Sequence, residues 1–311
     1  MIIAPHVGEG LDGSLMRMAE QISSPKIPIV PISRVRNFKF NTDLLQVKDY
    51  VLLDMTELDW NTPYEQTGTH LFGKNTKIFP HFDGIEWLRF DEWVADNPPT
   101  IYFKRELLKK DITEAVVPID YFNWINRINI QTREEFNKRI FDTFFFWGRS
   151  HEGRLQIHGD IWKGATQHGY SVCDNFMFLQ DFVNNEQGKK WCSLWMPHYK
   201  RIDISMLLSI NGLSKISLAP FGAGRKTFRH LESSVNCCML TWEDNFAWAY
   251  PWLHGENCIK SEIGKEVETI IEWLNKKELF DVYLECVHNA NKYRPDVYCK
   301  EYIEKEIKAR L

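Results

Sequence analysis

The chain has 311 residues, 44% of them hydrophobic and 26% charged, with a formal net charge of −4. That composition excludes a disordered polymer, and the length allows roughly two domains of about 150 residues, each with a core of its own. Acidic residues slightly outnumber basic ones in both halves, which argues against a dedicated nucleic-acid-binding domain. The seven cysteines, at 173, 192, 237, 238, 258, 286 and 299, are odd in number and form no Cys-x-x-Cys or Cys/His spacing suited to zinc. They point to reduced thiols in a cytoplasmic compartment. The N-terminal MIIAPHVGEGLDGS lacks a basic stretch, and no run of 18 apolar residues occurs. Neither a signal peptide nor a membrane span is expected.

In chain order, MIIAP reads as a first strand, and GSLMRMAEQIS as a helix with Leu15, Met18 and Ile22 on one face. KIPIVPIS is extended, DYVLLDM (49–55) is a buried strand, and TIYFKREL (100–107) is another, with a polar, aromatic-rich region between the last two. Such alternation of strands and helices favours a parallel sheet with helices on its faces. A seam follows in REEFNKRIFDTFFFWGRSHEGR, where an amphipathic helix (133–140) ends and a strongly apolar strand (143–147) begins. The alternation then restarts: helix 151–167, strand 192–196, a helix near 201–211, strand 215–219, helix 227–235 and strand 237–242. From about residue 261 the pattern is helical. The expected fold is α/β: two Rossmann-like domains, 1–140 and 141–311, facing each other across a cleft, with a helical C-terminal tail. The amphipathic EYIEKEIKARL needs an apolar partner and is expected to pack back on the N-terminal domain.

The stretch GAGRKT (222–227) invites comparison with a phosphate-binding loop. A P-loop needs Gly, four residues, then Gly-Lys-Ser/Thr; here Arg225 separates Gly224 from Lys226, and no Gly stands five positions before Gly224. The nucleoside-triphosphatase motif is absent. The setting of strand, Gly/Pro loop and helix remains, and such units present N–H groups and a positive dipole end to anions. In doubly wound domains ligands sit beyond the C-terminal strand ends. That rule selects Asp54 and Glu57, then Lys104, Arg105 and Glu106, in the first half. In the second half it selects Gly148 and Arg149, the 220–226 loop, and the residues after Trp242.

Residues 199–252 carry a more specific signal. Leu218, Pro220 and Gly222 match a Ser-x-x-Leu-x-Pro-x-Gly strand and loop; Thr227, Arg229 and Glu232 match a Ser/Thr-x-Arg-x-x-Glu helix; Cys237 matches a Gly-Cys-Ile-Pro-Val strand. This resembles the C-terminal half of exostosin-like glycosyltransferases, and more broadly the GT-B group. It departs from the pattern where Asn236 replaces Gly and Met239-Leu240 replace Pro-Val. The resemblance covers about a sixth of the chain well and is absent from the N-terminal half. It implies a GT-B-like fold, a nucleotide-sugar donor on the second domain, an acceptor on the first, and no metal or other cofactor. No Asp-x-Asp motif occurs.

A departing nucleoside diphosphate needs its developing charge stabilised. Arg149, Arg154, Arg225, Lys226 and Arg229 are the cations at the expected cleft positions, and the planar guanidinium suits diphosphate. The resemblance places Glu232 on the ribose hydroxyls; the competing reading is a surface salt bridge with Arg229 at i, i+3. Gly148, Gly222, Gly224 and Thr227 complete the expected donor set. In WEDNFAWAYPW (242–252), Trp242 and Phe246 are candidates for stacking on donor, against a simple space-filling role for these rings. A general base must be a carboxylate or His within reach of the acceptor hydroxyl; Glu9, Asp12 and Glu106 are the candidates carried forward, with Asp54, Glu57 and Asp83 behind them and His81 read as structural. Lys104 and Arg105 are expected to face the acceptor. The expected function is glycosyl transfer to a glycan or lipid-linked sugar. A hydroxymethylated base in DNA is the alternative acceptor, for which FKRELLKK (103–110) offers a local basic patch. A non-catalytic nucleotide- or glycan-binding module is the alternative of another class.

Overall fold

The computed structural model describes residue 22 and residues 27–32, 48–54, 93–94, 96–123, 130–145, 152–174, 204–219 and 226–310. The strands expected at MIIAP and 192–196, and the helix through Leu15 and Met18, lie outside these residues.

The first sheet contains β1 (Ile29–Ile32), β2 (Val51–Asp54), β3 (Ile101–Lys104) and β4 (Val116–Pro118). They pair in parallel in that order, with Val51 opposite Ile29 and Ile101. The runs IVPI, VLLD, IYFK and VVP are nearly continuous apolar stretches, as strands covered on both faces require. DYVLLDM and TIYFKREL coincide with β2 and β3. The three residues of β4 carry too little periodicity to announce a strand.

Helix α1 (Arg133–Asn137) opens with a capping box, in which Glu135 N–H donates to Thr132 Oγ1 and Thr132 N–H to Glu135 Oε2. The second sheet follows: β5 (Phe141–Phe145), α2 (Glu152–Gln167), β6 (Val172–Asp174), α3 (Ile204–Asn211), β7 (Ser214–Leu218), α4 (Phe228–Ser234), β8 (Cys238–Trp242) and β9 (Ile259–Ser261). Its order is β6-β5-β7-β8-β9, all parallel. Numbered within the sheet this is 2-1-3-4-5, a doubly wound arrangement whose direction of winding reverses between the first and third strands. The described part of the chain is therefore two parallel α/β sheets of Rossmann-like form.

Side chains of β8 alternate between two cores, as a period of two demands. Cys238 and Leu240 join Phe145, Ile216, Leu218 and Tyr283, while Met239 joins Phe103, Val51, Leu231 and the C-terminal aromatics. Helix α5 (Glu266–Leu274) lies against α2 across a glycine: a Cβ at Gly164 would stand 2.5 Å from Val267 Cγ1. Gly164→Ala is therefore expected to destabilise the fold by about 1–3 kcal/mol through overpacking. A lower urea midpoint at unchanged slope is the readout.

The chain ends in α6 (Leu279–Asn291), α7 (Pro295–Tyr298), a π turn (Cys299–Ile303) and α8 (Glu304–Lys308). Pro295 occupies the first turn of α7, where its missing N–H costs nothing. These helices contact the first sheet: Tyr302 hydroxyl donates to Pro118 O at 2.8 Å, and Asp120 N–H donates to Tyr298 hydroxyl at 2.9 Å. Ile303 and Ile307 are buried in the same core as Ile29 and Val51. Among the described residues no helix is long and apolar enough to cross a membrane.

Candidate functional site

The reversal of winding lies between β5 and β7, so the rule for doubly wound sheets puts a ligand beyond Phe145 and Leu218. Gly148 and Arg149, which leave β5, and Gly222, Gly224 and Arg225, which leave β7, lie outside the described residues, as do Glu9, Asp12, Glu57, His81 and Asp83. Arg154 falls in α2, and Asp54 ends β2.

Both described ends of the 220–225 connection are fixed. At its entry Ala219 N–H donates to Leu240 O at 2.8 Å, and Thr241 Oγ1 donates to Ala219 O at 3.2 Å. At its exit Thr227 N–H donates to Nδ1 of His230 at 3.3 Å. Nδ1 also lies 3.2 Å from Thr227 O, and Nε2 lies 3.1 Å from Thr241 Oγ1. A relay thus runs from Thr227 through His230 and Thr241 to Ala219. Burial pushes His230 down to about 4, with Asp244 as the main opposing influence, so the ring is neutral at pH 7. His230 occupies a variable position of the family pattern, and nothing in the sequence singles it out.

Lys226 is enclosed. Its Nζ lies 2.6 Å from Asp120 Oδ1, 3.3 Å from Ile119 O and 4.9 Å from the centre of the Trp248 ring, with the side chain 0% exposed. The other oxygen of Asp120 accepts from Ala249 N–H at 2.7 Å. Burial raises the Asp120 carboxyl above its ordinary value, and Lys226 and the Ala249 amide pull it back. The main-chain N–H of Lys226 donates to Glu106 Oε1 at 3.3 Å, and the same oxygen is 3.3 Å from Arg105 Nε. Arg105 also donates to the Tyr121 hydroxyl, and the Tyr121 ring packs at 3.8 Å on Phe228 at the start of α4. Lys104 is buried as well. Arg105 and Glu106 thus stand inside a contact between the first sheet and the start of α4, and Asp120 is the group there that sequence reasoning missed. Beside it, Ala247 N–H donates to Leu107 O and Lys109 N–H to Asn245 O, each at 2.8 Å, around a Leu108–Phe246 bridge.

That bridge accounts for Phe246, which is wholly buried. Trp242 is buried too, its Nε1 donating to Glu266 Oε1 at 2.5 Å. Both rings are buried, Trp242 beside α5. Arg229 and Glu232 differ. Their side chains form a 3.0 Å ion pair on α4 and remain 20% and 24% exposed. Burial lowers the Arg229 guanidinium from its ordinary value while Glu232 opposes the shift. Of Lys226, Arg229 and Glu232, the last two combine charge with access to solvent.

No protein-family model matches the chain, and no curated protein matches it. Among solved structures it is similar to trehalose-6-phosphate synthase OtsA, with a TM-score of 0.45 and 10% identity over 96% of this chain and 77% of that one. It is similar to a UDP-forming α,α-trehalose-phosphate synthase from Burkholderia xenovorans, with a TM-score of 0.44 and 10% identity over 96% and 78%. A third, the GtfA/B complex, gives 0.43 and 8% over 91% of this chain; the chain spans about half of that one, 53%. These TM-scores fall below 0.5. The chain is an α/β protein of two parallel, Rossmann-like sheets, in which residues just past β3 and β4 hold Lys226 before α4.

Proposed function

We propose that the protein is a glycosyltransferase of the GT-B kind, moving a sugar from a nucleoside-diphosphate sugar to a hydroxyl acceptor on a glycan or lipid-linked sugar, without an essential metal. The observation that carries this reading is the Arg229–Glu232 pair, partly exposed on the helix that follows the strand at the reversal of winding. The same residues carry the resemblance to exostosin-like enzymes. In this reading residues 141–311 form the donor domain and residues 1–140 the acceptor domain.

The chemistry assigns each residue a task. The acceptor oxygen bonds to the anomeric carbon as its proton passes to a carboxylate. The anomeric C–O bond breaks, and its electron pair leaves on the nucleoside diphosphate. Arg229 opposes that charge, with Arg149 and Arg225 as further cations. Glu232 accepts from the ribose hydroxyls. Glu106 is held by Lys226 and Arg105, so Glu9 and Asp12 are the carboxylates proposed for the proton transfer.

Calorimetry with UDP, ADP, GDP and CDP, with and without EDTA, tests the reading. Binding of at least one is expected, unchanged by the chelator. Arg229→Ala is expected to weaken it by about 1.5–3 kcal/mol, the loss of a charge-assisted contact. Glu232→Gln is expected to weaken it by about ten- to a hundredfold, while the melting temperature changes little, because an i, i+3 pair contributes roughly 0.2–0.5 kcal/mol. Unaltered nucleotide affinity in both variants would leave the pair as a surface salt bridge. Strict dependence on a divalent ion would remove the metal-free mechanism.

A further inference from the structure

Lys226 is gripped twice, and both grips come from the other sheet. Glu106, two residues past β3, holds its backbone N–H; Asp120, two residues past β4, holds its ammonium. Lys226 directly precedes Thr227, the residue at the N-terminal boundary of α4, and α4 carries Arg229 and Glu232. Arg105 adds a third contact of the same origin, since Tyr121, to which it donates, packs on Phe228 in the first turn of α4. The start of this helix is therefore located by the first sheet at its main chain, at a side-chain charge and at an aromatic face.

We infer that Glu106 and Asp120 are positioning residues of the nucleotide site, transmitting the placement of the first sheet through Lys226 to Arg229 and Glu232. The inference rests on the nucleotide-binding reading above. Its physical content is that Arg229 and Glu232 reach productive positions only when α4 begins where the grip on Lys226 puts it. Contacts held across two packed units have discrete arrangements rather than a continuum, so loosening the grip moves the helix start as a unit. The Asp120 carboxylate is also held by Ala249 N–H, and its own N–H by Tyr298. The grip is thus anchored to the loop after β8 and to the C-terminal helices, and is a built feature of the junction.

The test measures UDP affinity by calorimetry at a temperature where every variant is shown by its melting curve to be folded. Three proteins are compared with wild type: Glu106→Ala, Asp120→Asn, and the double variant Asp120→Asn/Lys226→Met, which removes both charges and so avoids leaving one buried alone. Each is expected to bind UDP roughly two- to thirtyfold more weakly. The double variant is expected to lose no more than Asp120→Asn alone, because the two side chains act through one contact. A residue that supported only global stability would lower the melting temperature and leave the affinity of the folded protein unchanged. Wild-type affinity in the folded double variant and in folded Glu106→Ala overturns the inference while the nucleotide reading stands. Absence of binding by wild type to UDP, ADP, GDP and CDP alike overturns the nucleotide reading and this inference together.

Discussion

Asp120→Asn and Lys226→Met, each made alone, are expected to destabilise the protein by about 3–5 kcal/mol, and the double variant to recover most of that loss. The single changes are costly because each leaves a polar or charged group enclosed without its counterpart. In Asp120→Asn the ammonium keeps Ile119 O and the Trp248 ring but no counter-ion; in Lys226→Met the carboxylate keeps only neutral partners such as Ala249 N–H. The double variant loses an attraction and a desolvation penalty together. Burial raises the Asp120 carboxyl despite a lysine at 2.6 Å, so desolvation offsets a large part of the pair's attraction. Asn is chosen because its carbonyl can still accept from Ala249 N–H, sparing the cost of an orphaned amide. Urea denaturation of the four proteins gives the cycle directly. Additive losses would mean that the pair contributes as two independent residues, against the geometry.

The same pair shows where sequence reading stops. The layout was legible: β2, β3, β5, β7 and β8 fall on the runs that apolar pattern selects, and α2, α3 and α4 on the intervening helices. The strands without a signal, β4, β6 and β9, are three residues each, shorter than any period can be read over. At the site, the sequence offers Lys226 as a donor-side cation or a solvated loop charge, and its ammonium is enclosed against Asp120. Its partner lies 106 residues away in sequence, and nothing local in YFNWIN marks Asp120 as the end of a buried pair. Trp242 and Phe246 illustrate a related limit. An aromatic side chain has the same composition whether it lines a ligand or a packed interior, and the burial of these two rings is visible only in the folded chain. Arg229 and Glu232 needed no distant partner, because helical periodicity alone brings i and i+3 together.

Lowering the pH from 6.5 to 4 is expected to remove about 3 kcal/mol of stability through His230 alone. The imidazole is pushed from 6.5 down to about 4 by burial, against Asp244, with Lys226 and Lys260 adding to the downward shift. The direction follows from the protons bound. Above pH 6.5 both states are neutral and His230 makes no difference. Between 6.5 and 4 the unfolded chain takes up a proton that the native ring refuses, so stability falls as pH falls. Below about 4 the native ring protonates as well, and the loss levels off. His230→Gln removes the titration while keeping a polar side chain between Thr227 and Thr241. Its stability is expected to be lower than wild type at pH 7 and to decline less between pH 6.5 and 4, so that the two curves converge on acidification. Urea midpoints at half-unit pH steps provide the curves. Parallel curves across that window would show that His230 is not the group that loses its neutral site, and the acid sensitivity would then lie with carboxylates such as Asp142, held below its ordinary range by Lys215 and Ser171 against the opposing effect of burial.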